Sequence, residues 1–318
     1  MLGHHVTLRR LAALGPLLAL LLAVAFFATQ SPRFLTLGNF SLVAQQVTVV
    51  GVLAIGQTLV ILTAGIDLSC GMLMALGGVV MTLLAGQSGM HPALAILAGV
   101  GTTTLAGLVN GLLVTRVTLP PFIVTLGTMN IAFALTQIVS RSQTVTDLPP
   151  LLTALGNTVP LLGTRVAHGT LLLLALFLVA WWLLRETAAG RHVYAVGNNR
   201  EAARLAGIDT NRVLLAVYTL AGALYGVASL LAVARTGVGD PQAGQTENLD
   251  TVTAVVLGGT SLFGGRGLIL GSLVGALIVG VFRNGLTLMG VSSVYQILVT
   301  GVLVILAVAT DQWSRRAT

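Results

Sequence analysis

About ten apolar segments, each near the length of a membrane-spanning helix, follow one another along this 318-residue chain. Such a helix needs about 20 predominantly apolar residues. The eighth segment is short and rich in glycine, so we expect it to be broken or to re-enter the membrane. The sequence therefore predicts an all-α membrane protein, a bundle of about ten transmembrane helices in one domain over residues 1–318. The segments are residues 11–29, 42–63, 69–86, 92–115, 121–140, 168–185, 213–234, 250–263, 268–284 and 293–310.

Charged residues are too few for a water-soluble protein of this size. They make up 8% of the chain, and the mean hydropathy is +0.96. Soluble domains carry about a quarter charged residues. A soluble fold of this length could not cover its surface with charge, so membrane lipid is the expected partner of most of the outer surface.

The basic residues are all arginine, and they predict the orientation of the chain. Cytoplasmic loops of membrane proteins are enriched in basic residues. The richest loop is 186–212, and even numbers of predicted spans separate it from the two arginine-bearing termini. We therefore expect this loop and both termini to be cytoplasmic and the helices to cross an inner membrane. An alternative is that residues 1–30 are a cleaved signal peptide.

The absence of lysine excludes ATP hydrolysis by a phosphate-binding loop of the Walker type, which requires a lysine. Motifs for metal-dependent or serine hydrolases are also missing, and Cys70 is the one cysteine. The arginines are scattered between apolar segments, which does not fit a nucleic-acid-binding stripe. We expect no catalytic residue, cofactor or metal, and any ATP-driven step must belong to another polypeptide.

Asp67 and Ser69 stand where one apolar segment gives way to the next, in the motif at 65–71. Either side chain could cap the following helix near the lipid headgroups. A carboxylate at membrane depth is costly, so Asp67 could instead line or gate a pathway. Other uncharged polar residues could line a passage for a hydroxylated solute or simply join helices by hydrogen bonds. These further pathway candidates are Asn110, Thr128, Asn130 and Asn284.

Residues 190–208 contain a polar segment with helix signals. Asn198 and Glu201 resemble a capping box, and Gly207 fits a helix stop. The helix between them would have about two turns, too short to persist alone in water. The segment is therefore either a docking surface that packs on something else or a solvated connector.

Glycines are concentrated in residues 256–267, in a pattern that superficially resembles a phosphate loop. A phosphate loop follows a strand and opens a helix in a soluble α/β unit, which is absent here. We predict a tight turn. Gly267, Gly271 and Gly275 recur every four residues, which allows close helix packing within one subunit, at a subunit interface or at a moving gate.

Together these motifs resemble the ribose-type permease family of bacterial ABC importers. The similar blocks are 65–71 followed by 75–78, then 119–129, 190–208, and 256–271 followed by 284–286. They span nearly the whole chain. Two positions depart from the family pattern, which usually has valine at Cys70 and glutamate at Asn248.

The resemblance implies a permease subunit that carries a monosaccharide such as ribose, xylose or galactose along a pathway between two paired subunits. Its implied partners are an ATP-binding subunit, an identical or different second permease subunit, and a periplasmic or lipid-anchored solute-binding protein. The implied ATPase-coupling residues are Gly190, Arg191, Asn198, Arg200, Glu201, Ala202, Ala203, Arg204 and Gly207. The acidic residues expected to meet the solute-binding protein are Asp147, Asp240, Glu247 and Asp250.

Other functions remain alternatives. An ion-coupled secondary transporter needs an ion site near the membrane midplane, and Asp67 is the one candidate in the sequence. A permease of the same family for a non-sugar solute, or an exporter, is a further alternative. An intramembrane enzyme would need a nucleophile–base pair, and the sequence offers none that we can name.

Overall fold

The computed structural model describes residues 2–161 and 163–316, with side-chain positions for residues 15–161, 163–306, 308, 309 and 312. Thirteen α-helices and one β-hairpin follow in chain order. They are α1 Leu2–Gln30, α2 Leu37–Leu62, α3 Cys70–Thr82 with a π-helical turn Leu83–Gln87, α4 Pro92–Thr115, α5 Pro121–Ser140, α6 Pro150–Thr153 with a 3-10 turn Ala154–Gly156, β1 Thr158–Leu161, β2 Thr164–Ala167, α7 His168–Glu186, α8 Ala188–Asn198, α9 Arg200–Leu205, α10 Thr210–Thr236, α11 Glu247–Leu257, α12 Ile269–Leu288 and α13 Ser293–Arg316.

Seven of these helices are long and apolar enough to cross a membrane, judged over the described residues. They are α2, α3 with its π-helical turn, α4, α5, α7, α10 and α12. Two shorter apolar helices, Gly15–Gln30 within α1 and Ser293–Leu306 within α13, accompany them. The prediction of a multi-pass helical membrane protein is confirmed, but the predicted number of about ten spans is not. The eighth predicted segment forms α11, whose 11 residues cover about 16 Å and fall short of a bilayer.

The two ends of the helix bundle differ in structure. At one end β1 and β2 pair antiparallel, with Thr158 opposite Ala167. The hairpin lies against the start of α2, where the Thr164 hydroxyl donates to the Leu37 carbonyl at 3.2 Å. We call this side the hairpin end, and the side that holds α8 and α9 the basic end. The predicted helical fold is confirmed, and the hairpin is an addition that the sequence patterns did not reveal, because two four-residue strands are too short to show a clear alternating pattern.

Helix α2 is the centre of the bundle. Its most apolar 18-residue window is 89% buried, whereas the corresponding windows of α4 and α5 are 22% buried. Helix α10 packs against α2, α3 and α4. The outward faces of α4 and α5 are therefore available to lipid or to another subunit.

Glycines allow the closest helix crossings. A Cβ on Gly107 of α4 would lie 2.9 Å from the Cα of Gly222 in α10. Cβ atoms on Gly271 and Gly275 of α12 would overlap the carbonyl groups of Gly258 and Ala254. The predicted glycine row therefore packs α12 against α11 and the turn after it, inside one subunit.

Gly107→Leu is expected to lower the melting temperature of the detergent-solubilised protein, because the new side chain must push α4 away from α10. Overpacking of this kind costs about 1–3 kcal/mol. Gly101→Leu in the same helix is the matched control, since a Cβ there meets no atom within 4 Å. Equal melting temperatures for the two variants would contradict the close crossing.

Candidate functional site

The carboxyl group of Asp67 lies deep inside the bundle. Its side chain is 1% exposed, in the connection 63–69 between α2 and α3. Oδ1 accepts from the Ser69 hydroxyl at 2.5 Å and from the Ser69 backbone N–H at 2.8 Å. Oδ2 accepts from the hydroxyl of Tyr225, near the middle of α10, at 3.2 Å. Asp67 therefore joins the connection to α10.

The same hydrogen bonds continue into α4 and α5. The amide of Asn110 donates to Ser69 Oγ at 3.2 Å, and the Thr128 hydroxyl donates to Asn110 Oδ1 at 2.6 Å. We call these five residues, Asp67, Ser69, Asn110, Thr128 and Tyr225, the Asp67 network. Four of the six pathway residues predicted from sequence thus meet in one chain of hydrogen bonds.

The other two predicted pathway residues lie elsewhere. Asn130 is exposed and donates to Leu126 in its own helix at 3.2 Å. Asn284 of α12 exchanges two hydrogen bonds of 2.9 Å with Asn39 of α2, near the hairpin end. Both amides therefore satisfy helix contacts outside the Asp67 network.

The structure also corrects the capping interpretation. Ser69 precedes α3 but makes no side-chain capping bond. Asp67 is buried against the middle of α10, so it does not occupy a turn near the headgroups. Burial of this kind is tolerated when the carboxyl oxygens accept hydrogen bonds, as they do here.

Two side chains that hydrogen-bond in this region, Tyr225 and Thr125, were not among the functional residues predicted from the sequence. Tyr225 places a hydroxyl in an otherwise apolar stretch of α10, which was the available signal. Thr125 of α5 accepts from the Leu68 N–H at 3.2 Å and donates to the Ile66 carbonyl at 3.1 Å. Thr125 thereby satisfies backbone groups that hydrocarbon could not satisfy.

At the basic end, α8 and α9 form the polar segment expected at 190–208. Thr187 caps α8 by accepting from the Gly190 N–H at 3.2 Å. Asn199 caps α9 by accepting from the Ala202 N–H at 2.9 Å. The capping residue is therefore Asn199 and not Asn198, and α8 is a helix that the sequence patterns did not reveal.

The predicted coupling residues mostly face outward. Gly190 and Ala203 are buried, while the other seven are exposed. Arg204 donates to Glu201 at 2.6 Å, and this hydrogen bond and the positive charge lower the pKa of Glu201. Exposed ion pairs add little stability. Leu205 beside them is 76% exposed, so α9 presents both charge and apolar area.

Helix α8 and residues 258–268 clamp the end of α2. The Gly265 N–H donates to the Leu62 carbonyl at 2.9 Å, and the Tyr194 hydroxyl donates to the Gly267 carbonyl at 2.9 Å. Gly197 lies so close to Leu62 that a Cβ would overlap the same carbonyl. Leu62 precedes the connection that carries Asp67, so the polar segment and the Asp67 network share one piece of backbone.

The four acidic residues expected at the outer surface divide into two groups. Asp147 is exposed and Asp240 is partly exposed at the hairpin end, whereas Glu247 is the partly buried first residue of α11. Asp250 is 1% exposed and pairs with Arg283 of α12. Its buried carboxyl group is not accessible in this structure, so the structure places Asp250 inside the subunit and not on its surface.

Residues 237–246 explain this burial. They run inward from the hairpin end, and a Cβ on Gly244 would overlap the carbonyl of Gly71, the second residue of α3. Helix α11 therefore starts within the bundle. The loop that was expected to lie outside forms part of the interior instead.

Tyr225→Phe is expected to destabilise the protein by about 1–3 kcal/mol, because it leaves a buried carboxyl oxygen of Asp67 without its donor. Tyr218→Phe is the matched control, since the Tyr218 hydroxyl is buried without a hydrogen-bond partner among the described residues. Thermal unfolding in detergent measures both. A Tyr218 variant that loses as much stability as the Tyr225 variant would contradict the role assigned to the network.

Comparison with known proteins shows the family to which the chain belongs. A family model described as "Branched-chain amino acid transport system / permease component" matches residues 39–308. No solved structure matches the chain. The fructose import permease protein FrcC of Rhizobium meliloti is 43% identical over 95% of this chain and 85% of its own length. The ribose import permease protein RbsC of Escherichia coli K12 is 40% identical over 93% and 92%.

A third relative, the D-allose transport system permease protein AlsC of Escherichia coli K12, is 36% identical over 94% of this chain and 91% of its own length. All three likenesses extend over nearly the full sequence, including the connection at 63–69 and the polar segment at 190–208. The chain therefore belongs to the family of membrane-spanning transport-system permease components.

Proposed function

We propose that this chain is the permease subunit of an ABC importer that moves a monosaccharide across a bacterial inner membrane. The observation that carries the proposal is likeness over most of the length of proteins named as import permeases for fructose, ribose and allose. The same likeness favours an importer subunit over an ion-coupled secondary transporter. It also favours a sugar over a non-sugar solute.

We place the basic end in the cytoplasm. The positive-inside rule supports this orientation, because the described helices bring more arginines to the basic end than to the hairpin end. Helix α1 begins and α13 ends at the basic end, so both termini are cytoplasmic in this proposal. Arginines at the basic end include Arg116, Arg185, Arg191, Arg200, Arg204, Arg212 and Arg266, against Arg33, Arg141, Arg165, Arg235 and Arg283 at the other.

An ATP-binding subunit would dock on α8 and α9. The exposed charges and Leu205 provide the docking surface. The contacts of α8 and the Gly265 N–H with Leu62 would transmit a movement of α8 and α9 to the end of α2. When the ATP-binding subunits close, they would push the polar segment and with it the end of α2. The connection at 63–69 follows at once, so the Asp67 network would change its hydrogen bonds as the pathway alternates between the two sides.

The solute-binding protein would deliver sugar at the hairpin end, where Asp147 and Asp240 are accessible. A second permease subunit, identical or different, would complete the transporter, and the weakly buried faces of α4 and α5 are available to it. ATP hydrolysis resides in a separate subunit, because this chain has no lysine for a phosphate loop.

The double variant Glu201→Arg with Arg204→Glu is expected to lower ATP-driven sugar uptake about tenfold, equivalent to about 1.4 kcal/mol at the docking surface. The swapped residues can still pair with each other, so α9 keeps its fold while its charges are reversed. Uptake and ATP hydrolysis by the reconstituted transporter provide the measurement.

The matched control is Arg185→Glu with Glu186→Arg. That exposed pair also lies at the basic end, with 3.3 Å between its atoms, but outside α8 and α9. Normal uptake by the Glu201 and Arg204 variant, or an equal loss in the control, would argue against docking at α9.

Cysteine labelling tests the orientation. The native Cys70 is buried, so the background is low. In intact cells a membrane-impermeant maleimide is expected to label Gln143→Cys at the hairpin end but not Ala202→Cys on α9, both of which are exposed sites. Permeabilised cells should label both. Labelling of Ala202→Cys in intact cells would reverse the proposed orientation.

A further inference from the structure

Two cavities flank residues 237–246 at the hairpin end. One, of about 310 Å³, lies between α2, α12 and the start of α13. The other, of about 370 Å³, lies toward α3 and α10. Arg235 and Thr246 line both. We call the two cavities together the vestibule, and each is of the size that holds a small solute, about 300–1,000 Å³.

Arg283 is fixed at the edge of the first cavity. Its guanidinium pairs with Asp250, and Nη2 also donates to the Thr246 hydroxyl at 3.3 Å. The Arg283 side chain is 34% exposed whereas Asp250 is 1% exposed. The Asp250 carboxyl group therefore lies behind the Arg283 guanidinium, and Arg283 is the partner that lines the cavity. Asp250 acts as a positioning residue.

Other polar groups of the vestibule are free to bind a solute. Arg235 forms no ion pair with any described carboxylate. Gln46 of α2 lines the first cavity, and its buried Oε1 accepts no hydrogen bond from the described residues. Arg235 is thus a donor in the vestibule without an ion-pair partner among the described residues, and the Gln46 side chain lines the first of its cavities.

The charges of the vestibule oppose each other. Asp240 and Glu247 line the second cavity beside Arg235. An anionic solute would meet these two carboxylates, and a cationic one would meet the two arginines. A neutral solute with many hydroxyl groups satisfies both kinds of partner, because each hydroxyl donates and accepts.

We propose that the vestibule is an entry site for a neutral monosaccharide within a single permease subunit, with Arg283, Arg235 and Gln46 contacting its hydroxyl groups. This inference rests on the proposed function of sugar import. It differs from a purely structural role of the Asp250–Arg283 pair, which would only fasten α11 to α12.

The double variant Asp250→Asn with Arg283→Gln separates these roles in the assembled importer. Asparagine matches aspartate in size, and replacing both partners together avoids the large cost of leaving one buried charge unpaired. We expect sugar uptake to fall at least about tenfold, while ATP hydrolysis stimulated by the loaded binding protein persists. Arg165→Gln is the control, because Arg165 lies at the same end but lines neither cavity.

The outcomes separate the two hypotheses. If the wild-type importer moves no sugar in a panel of labelled monosaccharides that includes D-ribose, D-fructose, D-allose, D-xylose and D-galactose, the proposed function fails. If the wild type imports sugar and the double variant imports it equally well, the vestibule site alone is overturned.

Solute protection gives a second measurement that does not depend on the double variant. Ser293→Cys lines the first cavity and is exposed, whereas Gln143→Cys lies at the same end outside it. With the importer assembled in membranes, the sugar that it imports should slow labelling of Ser293→Cys at least twofold and leave Gln143→Cys unchanged. Glycine betaine at equal concentration should not protect. No protection by that sugar at concentrations that saturate uptake, or protection by gluconate alone, would overturn the proposal.

Discussion

Hydrocarbon offers no hydrogen bonds, so a polar group placed inside this bundle is costly unless it finds a partner in the protein. The connection between α2 and α3 is the place where this constraint is most severe, because it is not helical and carries a carboxyl group. Thr125 bonds to its backbone, and Ser69 and Tyr225 bond to Asp67. Four helices are held together around this connection as a result.

The same constraint gives a physical route for coupling. Leu62 ends α2, and its carbonyl accepts a hydrogen bond from the Gly265 N–H in the glycine-rich turn after α11. Gly265 in that turn also lies against Asn198 at the end of α8. Glycines at these contacts leave no space between the backbones, so under the proposed coupling a displacement of α8 would pass directly to the end of α2. In the proposed coupling the displacement would reach the Asp67 network, because packed interfaces convert small shifts into a change of state.

Much of the fold could be predicted from sequence, because apolar length is a strong signal for helices in a membrane. The short helix α11 followed from its glycines and its few apolar residues. The β-hairpin and α8 could not be predicted, since four-residue strands and an 11-residue polar helix acquire their stability from packing on neighbouring elements. Four residues of the Asp67 network were predicted as pathway candidates because polar side chains are rare in apolar segments. Their contacts with one another, and the role of Tyr225, depend on how the helices cross and could not be predicted. Asp250 was misplaced because an inward-running loop has the same composition as an exposed one.

Site-specific photo-crosslinking tests most directly whether the ATP-binding subunit docks on α9. A photoreactive amino acid at Ala202, which is exposed on α9, is expected to form adducts with the ATP-binding subunit, whereas one at Gln143 is not. Adducts from Ala202 that change in yield when ATP is bound would support transmission through α8 and α9. Absence of the ATP-binding subunit among the Ala202 adducts, or its capture from Gln143, would contradict the account.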